Sequence, residues 1–193
     1  MEYNTIKESL LKICAFWGRG KDERPADWYS TRVALRPINE DLVRIREWLT
    51  GLCDKDWKIH IGSGWGAVSE ILYITMLPPK QKSSDGLYVA ICFGKAGNGL
   101  VSGCAVSCTS HGTNVRLADI PTEQRMRDGG YAPTINVDGR KPNARYNNHF
   151  VNPQEMSVNE IDIARLIEHL RISIWICKAG IAYIKSVSTD SEC

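Results

Sequence analysis

Residues 57–77 read WKIHIGSGWGAVSEILYITML, and residues 83–110 read SSDGLYVAICFGKAGNGLVSGCAVSCTS. In the first stretch Trp57, Ile59 and Ile61 alternate with Lys58 and His60, the mark of a strand with one wet face. Gly62-Ser63-Gly64-Trp65-Gly66 then reads as a glycine-rich turn. Residues 70–77, 86–94 and 99–107 read as three further strands, separated by the run from Pro78 to Asp85 and by Gly97-Asn98-Gly99. That last trio between two apolar runs is a hairpin signal. Side chains alternate across a strand, so Leu87, Val89, Ile91 and Phe93 share one face, assigned to the core, and Tyr88, Ala90 and Cys92 share the other. In 71–77, Tyr73 and Thr75 likewise oppose Leu72, Ile74 and Met76.

Outward from this block the period changes to that of helices. Ile6, Leu10, Ile13 and Trp17 recur at spacings of three and four, which predicts a helix over 2–17 ended by Gly18-Arg19-Gly20. Residues 19–37 are charged and carry two prolines, as an exposed connection does. A second helix is predicted from Asn39, its N-cap, to Cys53, with Glu40 and Asp41 in the first turn. Its buried stripe is Leu42, Ile45, Trp48, Leu49 and Leu52. A third is predicted after Ser157, which would cap it, with Ile161, Ala164, Leu166, Ile167 and Leu170 buried and Gly180 as a stop beyond Cys177. Residues 181–187 read either as a final strand or as more helix. Residues 109–158 show no sustained period, so they are short helices or a functional loop. The sum is an α+β fold, a mostly antiparallel sheet flanked by helices, in one domain over 1–193 with a polar loop region at 109–157.

Composition narrows the function class. With 43% hydrophobic and 24% charged residues the chain is globular rather than disordered. Its apolar runs are broken by charge before the roughly 18 residues of a membrane span, mean hydropathy is −0.26, and the start Met1-Glu2-Tyr3-Asn4 has no signal-peptide character. The seven cysteines are scattered, Cys104 and Cys108 have no CxxC or paired His beside them, and a zinc site needs four well-spaced ligands. Reduced structural thiols in a cytoplasmic protein, without metal or cofactor, are therefore expected. A net charge of +2 permits nucleic acid without requiring it.

Catalytic signatures are absent from the sequence. There is no GxxxxGK[ST], HExxH, GxSxG or EF-hand spacing, and the Gly62, Gly64, Gly66 pattern is GxGxG rather than the dinucleotide GxGxxG. His60, His111, His149 and His169 are isolated; His111 and Cys108 make a nucleophile–base pair only if the fold joins them. Glu70 and Asp85 flank strands, but no acid-x-Lys strand of a metal-dependent nuclease follows them. The expectation is a protein that is not an enzyme.

The stretch from Trp57 to Ser110 resembles the MrcB-like N-terminal domain family, the DNA-binding domains of McrB-type modified-cytosine restriction proteins. Gly62 and Gly64 match the family's GxG turn, and Asp85-Gly86-Leu87-Tyr88 matches its N/D-G-x-Y element. The likeness covers roughly 55 residues and is topological elsewhere. Where the family shows an aromatic-Ala and then a Pro-Trp, this chain has Trp65-Gly66-Ala67 and Glu70-Ile71.

The resemblance implies a reader of double-stranded DNA that flips a methylated or hydroxymethylated cytosine into an aromatic pocket, with a nuclease or motor domain or subunit as partner. Tyr88 and Tyr73, with Ala90 and Cys92 as small neighbours, are the candidate pocket. The competing reading is that helices cover this face and Tyr88 is ordinary core. Ser63, Gly64, Trp65 and Gly66 are candidate DNA contacts in the turn, with Trp65 either folded back on the core or inserted into a partner. Lys58, His60, Arg116, Arg125, Arg127, Arg140, Lys141 and Arg145 are candidate phosphate or base-edge contacts, each with a solvated surface charge as its plainer reading. Two rivals from other classes are a nuclease or hydrolase built on 109–157 and a protein-interaction module using the sheet edge and Trp65.

Overall fold

A computed structural model describes residues 2–19, 35–62, 72–83, 86–106, 135, 137 and 150–190, with backbone alone at residues 185 and 187–190. Four strands fall where the alternating pattern puts them: β1 Lys58–Gly62, β2 Tyr73–Leu77, β3 Leu87–Phe93 and β4 Gly99–Val106. A fifth, β5 Gln154–Ser157, lies in the stretch read as aperiodic. It is only four residues long and sends one side chain, Met156, fully into the core, too little alternation for a pattern to register. The sheet order is β1-β2-β3-β4-β5 with every pair antiparallel. With its helices this is the expected α+β class.

The β3–β4 hairpin turns where Gly97-Asn98-Gly99 predicts. Gly97 N–H donates to Gly94 O at 2.8 Å, and Gly94 N–H donates to Gly99 O at 2.9 Å. Gly97 sits at φ +67°, a left-handed conformation that disfavours a Cβ. A Cβ there would also stand 2.4 Å from Cys14 O and 2.7 Å from Gly18 Cα, so the hairpin tip and the first helix meet backbone to backbone.

Among the described residues three α-helices pack on one face of the sheet. Helix α1, Tyr3–Gly18, buries Ile6, Leu10, Ile13 and Trp17, the stripe its spacing predicts. Helix α2, Asn39–Thr50, buries Leu42, Ile45 and Leu49, with Trp48 and Leu52 partly covered. Asn39 is not its cap: a short 3-10 turn at Arg36–Ile38 leads directly into the helix, so Asn39 is already helical and the cap position falls to Ile38, which has no side chain able to cap. Helix α3, Ile163–Asp190, runs 28 residues, about 42 Å at 1.5 Å per residue. It passes through Gly180 without stopping and makes 181–187 helix rather than strand. A glycine costs about 1 kcal/mol in a helix, which packing overrides here, since Gly180 is buried.

Two further expectations for α3 are corrected. Ser157 ends β5 and donates its hydroxyl to Glu160 Oε2 at 2.7 Å, while Asp162 Oδ1 accepts from Arg165 N–H at 3.1 Å in the N-cap manner. Ala164 points to solvent; the covered positions are Ile163, Leu166, Ile167, Leu170, Ser173, Ile174 and Cys177. Among the described residues no helix is long and apolar enough to cross a membrane.

Leu87, Val89, Ile91 and Phe93 join Leu72, Ile74, Met76, Leu100, Cys104 and Met156 in one core beneath the helices. Each fully buried aliphatic side chain of this kind contributes roughly 1.5–3 kcal/mol relative to exposure. Between α1 and α2 the core admits one polar cluster: Ser9 Oγ donates to Asp41 Oδ1 at 2.8 Å, and Arg44 donates to both, at 2.9 and 3.1 Å.

Candidate functional site

The other face of the sheet carries its own cluster of buried residues, among which no helical residue appears: Tyr88, Ala90, Cys92, Val101, Ala105, Ile135, Val137 and Phe150, with Tyr73 and Leu77 packed against it. The alternation assigned to β2 and β3 is therefore correct on both faces. Tyr88 is buried to 3% exposure, and among the described residues its cover comes from Ile135, Val137 and Phe150, after β4, and from no helix.

Register explains the shape of this face. Directly opposed residues in antiparallel strands share a face, so each row of partners forms one line across the sheet. One row runs Gly62, Tyr73, Cys92, Val101, Glu155. The next runs His60, Thr75, Ala90, Gly103, and a third contains Tyr88, Ala105 and, through an isolated bridge, Phe150. From Thr75 to Gly103 the middle row is short side chains and a glycine, with His60 at its β1 end; aromatic rings stand in the rows beside it. The result is a trough with a small-residue floor and aromatic flanks. Tyr73, Thr75, Tyr88, Ala90, Cys92, Ala105 and Phe150 line a cavity of about 10 Å³ at its centre, room for roughly one water.

Local sequence sets each wall. The Tyr73 ring lies across Gly62: a Cβ on Gly62 would fall 1.9 Å from the ring, so only glycine at the end of β1 leaves that seat open. The ring also meets His60 with centroids 6.5 Å apart, tilted by 53°. Thr75 Oγ1 donates to His60 O at 3.4 Å, turning its hydroxyl toward β1. The Phe150 ring lies over Gly103, whose added Cβ would come within 3.2 Å of Phe150 Cδ1 and 2.6 Å of Asn152 O.

Behind Phe150 the chain is fastened tightly. Val151 N–H donates to Cys104 O at 2.7 Å. Asn152 Oδ1 accepts from Cys104 N–H at 2.7 Å, and its amide donates to Ser173 Oγ at 2.9 Å. Ser173 donates in turn to His169 O at 2.8 Å, and His169 Nε2 meets Ser102 O at 3.1 Å. This chain of bonds links β4, the segment after Phe150 and α3. On β5, Glu155 accepts from Ile135 N–H at 3.1 Å and so holds part of the cover over the trough.

Of the residues singled out in the sequence, the fold brings Tyr73, Tyr88, Ala90 and Cys92 together in the trough. Lys58 and His60 are exposed on β1, and their pairing with Leu77 and Thr75 puts them on the same face, at its edge. Ser63, Gly64, Trp65, Gly66, Arg116, Arg125, Arg127, Arg140, Lys141 and Arg145 lie outside the described residues, as do Cys108 and His111. Phe150, Ala105, Gly62 and Gly103 complete the trough and were not legible as site residues. Phe150-Val151 is an apolar doublet in an otherwise polar stretch, which is the one signal that marks it.

The described thiols, Cys14, Cys53, Cys92, Cys104 and Cys177, are buried or partly buried. Burial pushes Cys14 up to about 12, and burial followed by the charge of Asp54 pushes Cys53 to about 12. Cys104 rises well above its ordinary value through its bond with Cys177 and through burial. Thiols so raised stay protonated at neutral pH and are poor nucleophiles or metal ligands. Among the described residues no group of three or more His, Cys, Asp or Glu is placed to hold a metal. No protein-family model matches this chain, and no curated protein matches it.

Proposed function

We propose that this chain is a DNA-binding specificity domain that recognises a modified base, a methylated or hydroxymethylated cytosine, by drawing it out of the duplex into the trough. Cleavage would then belong to a partner nuclease or motor. The observation that carries the reading is the trough itself: aromatic rings flanking a floor of Thr75, Ala90 and Gly103 on the face free of described helices. Stacking on aromatic side chains and contact with a small-residue floor is what an extruded base requires to offset the few kcal/mol of unstacking. Lys58 and His60 at the edge of the same face suit phosphate contact. The resemblance of residues 57–110 to the MrcB-like N-terminal domains supports the same assignment.

The test is a titration at low salt of one duplex sequence carrying cytosine, 5-methylcytosine, 5-hydroxymethylcytosine, N4-methylcytosine or, at an adjacent position, N6-methyladenine. The expected result is tighter binding to one modified duplex, by about tenfold or more, equivalent to 1.4 kcal/mol. Tyr88→Ala should remove the preference and leave the salt-dependent non-specific binding in place. Equal affinity for every duplex leaves a non-specific DNA binder and refutes the reading.

A second reading, a protein-interaction surface, is favoured by helix α3, where Ile172 is 49%, Trp175 69% and Tyr183 46% exposed. These three positions fall along one side of the helix at spacings of three and eight. That reading predicts no DNA affinity at low salt and a stable protein complex.

A further inference from the structure

The trough is filled from within. Phe150 is 1% exposed, and the edge of its ring, at Cδ1, reaches within 3.2 Å of the Cβ position of Gly103 on the floor, beside the Asn152 carbonyl at 2.6 Å. The space left around it holds roughly one water, so that ring and a base cannot occupy the trough together. We infer that the Phe150 ring is an internal stand-in for the flipped base, holding the trough closed in the free protein and leaving it when a base enters. The inference rests on the reading of the trough as a base pocket.

Phe150 differs from the other aromatic residues of the trough in how it is held. Tyr73 and Tyr88 belong to β2 and β3, each paired along both sides. Among the described residues Phe150 belongs to no strand, and it pairs with the sheet through an isolated bridge to Ala105. Its side chain has no polar atom, so its departure breaks no hydrogen bond of its own. A phenyl ring is also the same planar six-membered outline as a pyrimidine, and a trough shaped around one accepts the other with little rearrangement of its floor. Immediately after it, Val151 and Asn152 are tied to Cys104. A swing of Phe150 would therefore pivot about a fixed Val151.

The functional consequence is a toll on base entry. A binding-competent state populated at a fraction f weakens apparent affinity by that fraction. Random extrusion of an ordinary base then competes poorly with the resident ring, and only a base with additional contacts displaces it. Removing the ring should therefore tighten binding of a modified duplex, whereas removing a mere stacking wall should weaken it.

The chain contains three phenylalanines, Phe16, Phe93 and Phe150, which makes fluorophenylalanine labelling informative. The experiment compares the wild type, Phe150→Ala and Phe150→Leu on cytosine and 5-methylcytosine, 5-hydroxymethylcytosine or N4-methylcytosine duplexes, alongside the fluorine spectrum of the labelled wild type, in which loss of one resonance in Phe150→Leu assigns it. Minor states populated at about 0.1–10% predict a gain of roughly tenfold or more for Phe150→Ala on the preferred duplex. Phe150→Leu should gain less, and it decides the matter if the alanine variant does not fold. At saturation with that duplex the Phe150 resonance should move to a solvent-exposed position while the other two stay. Weaker binding by both variants, or an unmoved resonance, overturns the stand-in and leaves the base-reading function intact. Absence of any preference among duplexes in the wild type overturns the pocket reading, and the stand-in with it.

Discussion

Replacing Asn152 by alanine tests whether the support behind the trough is as strong as its geometry implies. Asn152 Oδ1 accepts the N–H of Cys104, a fully buried residue on β4, and its amide group donates to Ser173 on α3. The alanine leaves a buried backbone donor unsatisfied, at about 1–3 kcal/mol, and forfeits a second bond of about 1 kcal/mol. The expected loss is about 2–4 kcal/mol, less whatever a water entering the vacated space restores. Ser173→Ala removes only the second bond and should cost about 1 kcal/mol. Urea unfolding followed by circular dichroism measures both, with the slope unchanged if the loss is one of native contacts. For a chain of this length the larger loss lowers Tm by roughly 5–15 °C. A loss below about 1 kcal/mol for Asn152→Ala would refute the reasoning, because the Cys104 N–H would then have a second acceptor.

Other substitutions probe the remaining supports. Gly97→Ala combines a left-handed φ with a Cβ 2.4 Å from Cys14 O, so about 2–4 kcal/mol should be lost in the same assay. Gly51→Ala, at φ −71° with a nearest contact of 3.3 Å, should change stability by less than about 1 kcal/mol. Asp41→Ala strands Ser9 and Arg44 and should cost about 1–3 kcal/mol, whereas Ser9→Ala, which leaves the Arg44–Asp41 pair, should cost less. Cys14 has a pKa raised from 9.0 to about 12 by folding, so the unfolded chain releases the proton first as pH rises. Its contribution is complete below pH 9 and is lost as pH climbs toward about 12; stability measured across that window should fall, and Cys14→Ala should flatten the fall.

How much of this was legible in the sequence depends on the range over which each feature is specified. The β3 alternation of Leu87, Val89, Ile91 and Phe93 against Tyr88, Ala90 and Cys92 is a local property, and both faces emerged from it. The hairpin signal at Gly97-Asn98-Gly99 fixed which strands pair. The trough required more: that Ala90 faces Gly103, that Gly62 faces Tyr73, and that Phe150 returns to Ala105 are matters of long-range register. Phe150 is 45 positions from its bridge partner, beyond the reach of periodicity. Strand β5 is recruited by pairing with β4 rather than by its own pattern, and helix α3 overrides Gly180 because tertiary burial outweighs one unfavourable propensity.

The most direct measurement of the central claim is fluorescence from 2-aminopurine placed beside the target cytosine in a duplex, with and without the preferred cytosine modification, at saturating protein. Extrusion of the target unstacks its neighbour, so the modified duplex should brighten several-fold while the unmodified one stays dim, and Tyr88→Ala should abolish the difference. A modified duplex that is fully bound and remains as dim as the unmodified one contradicts the account.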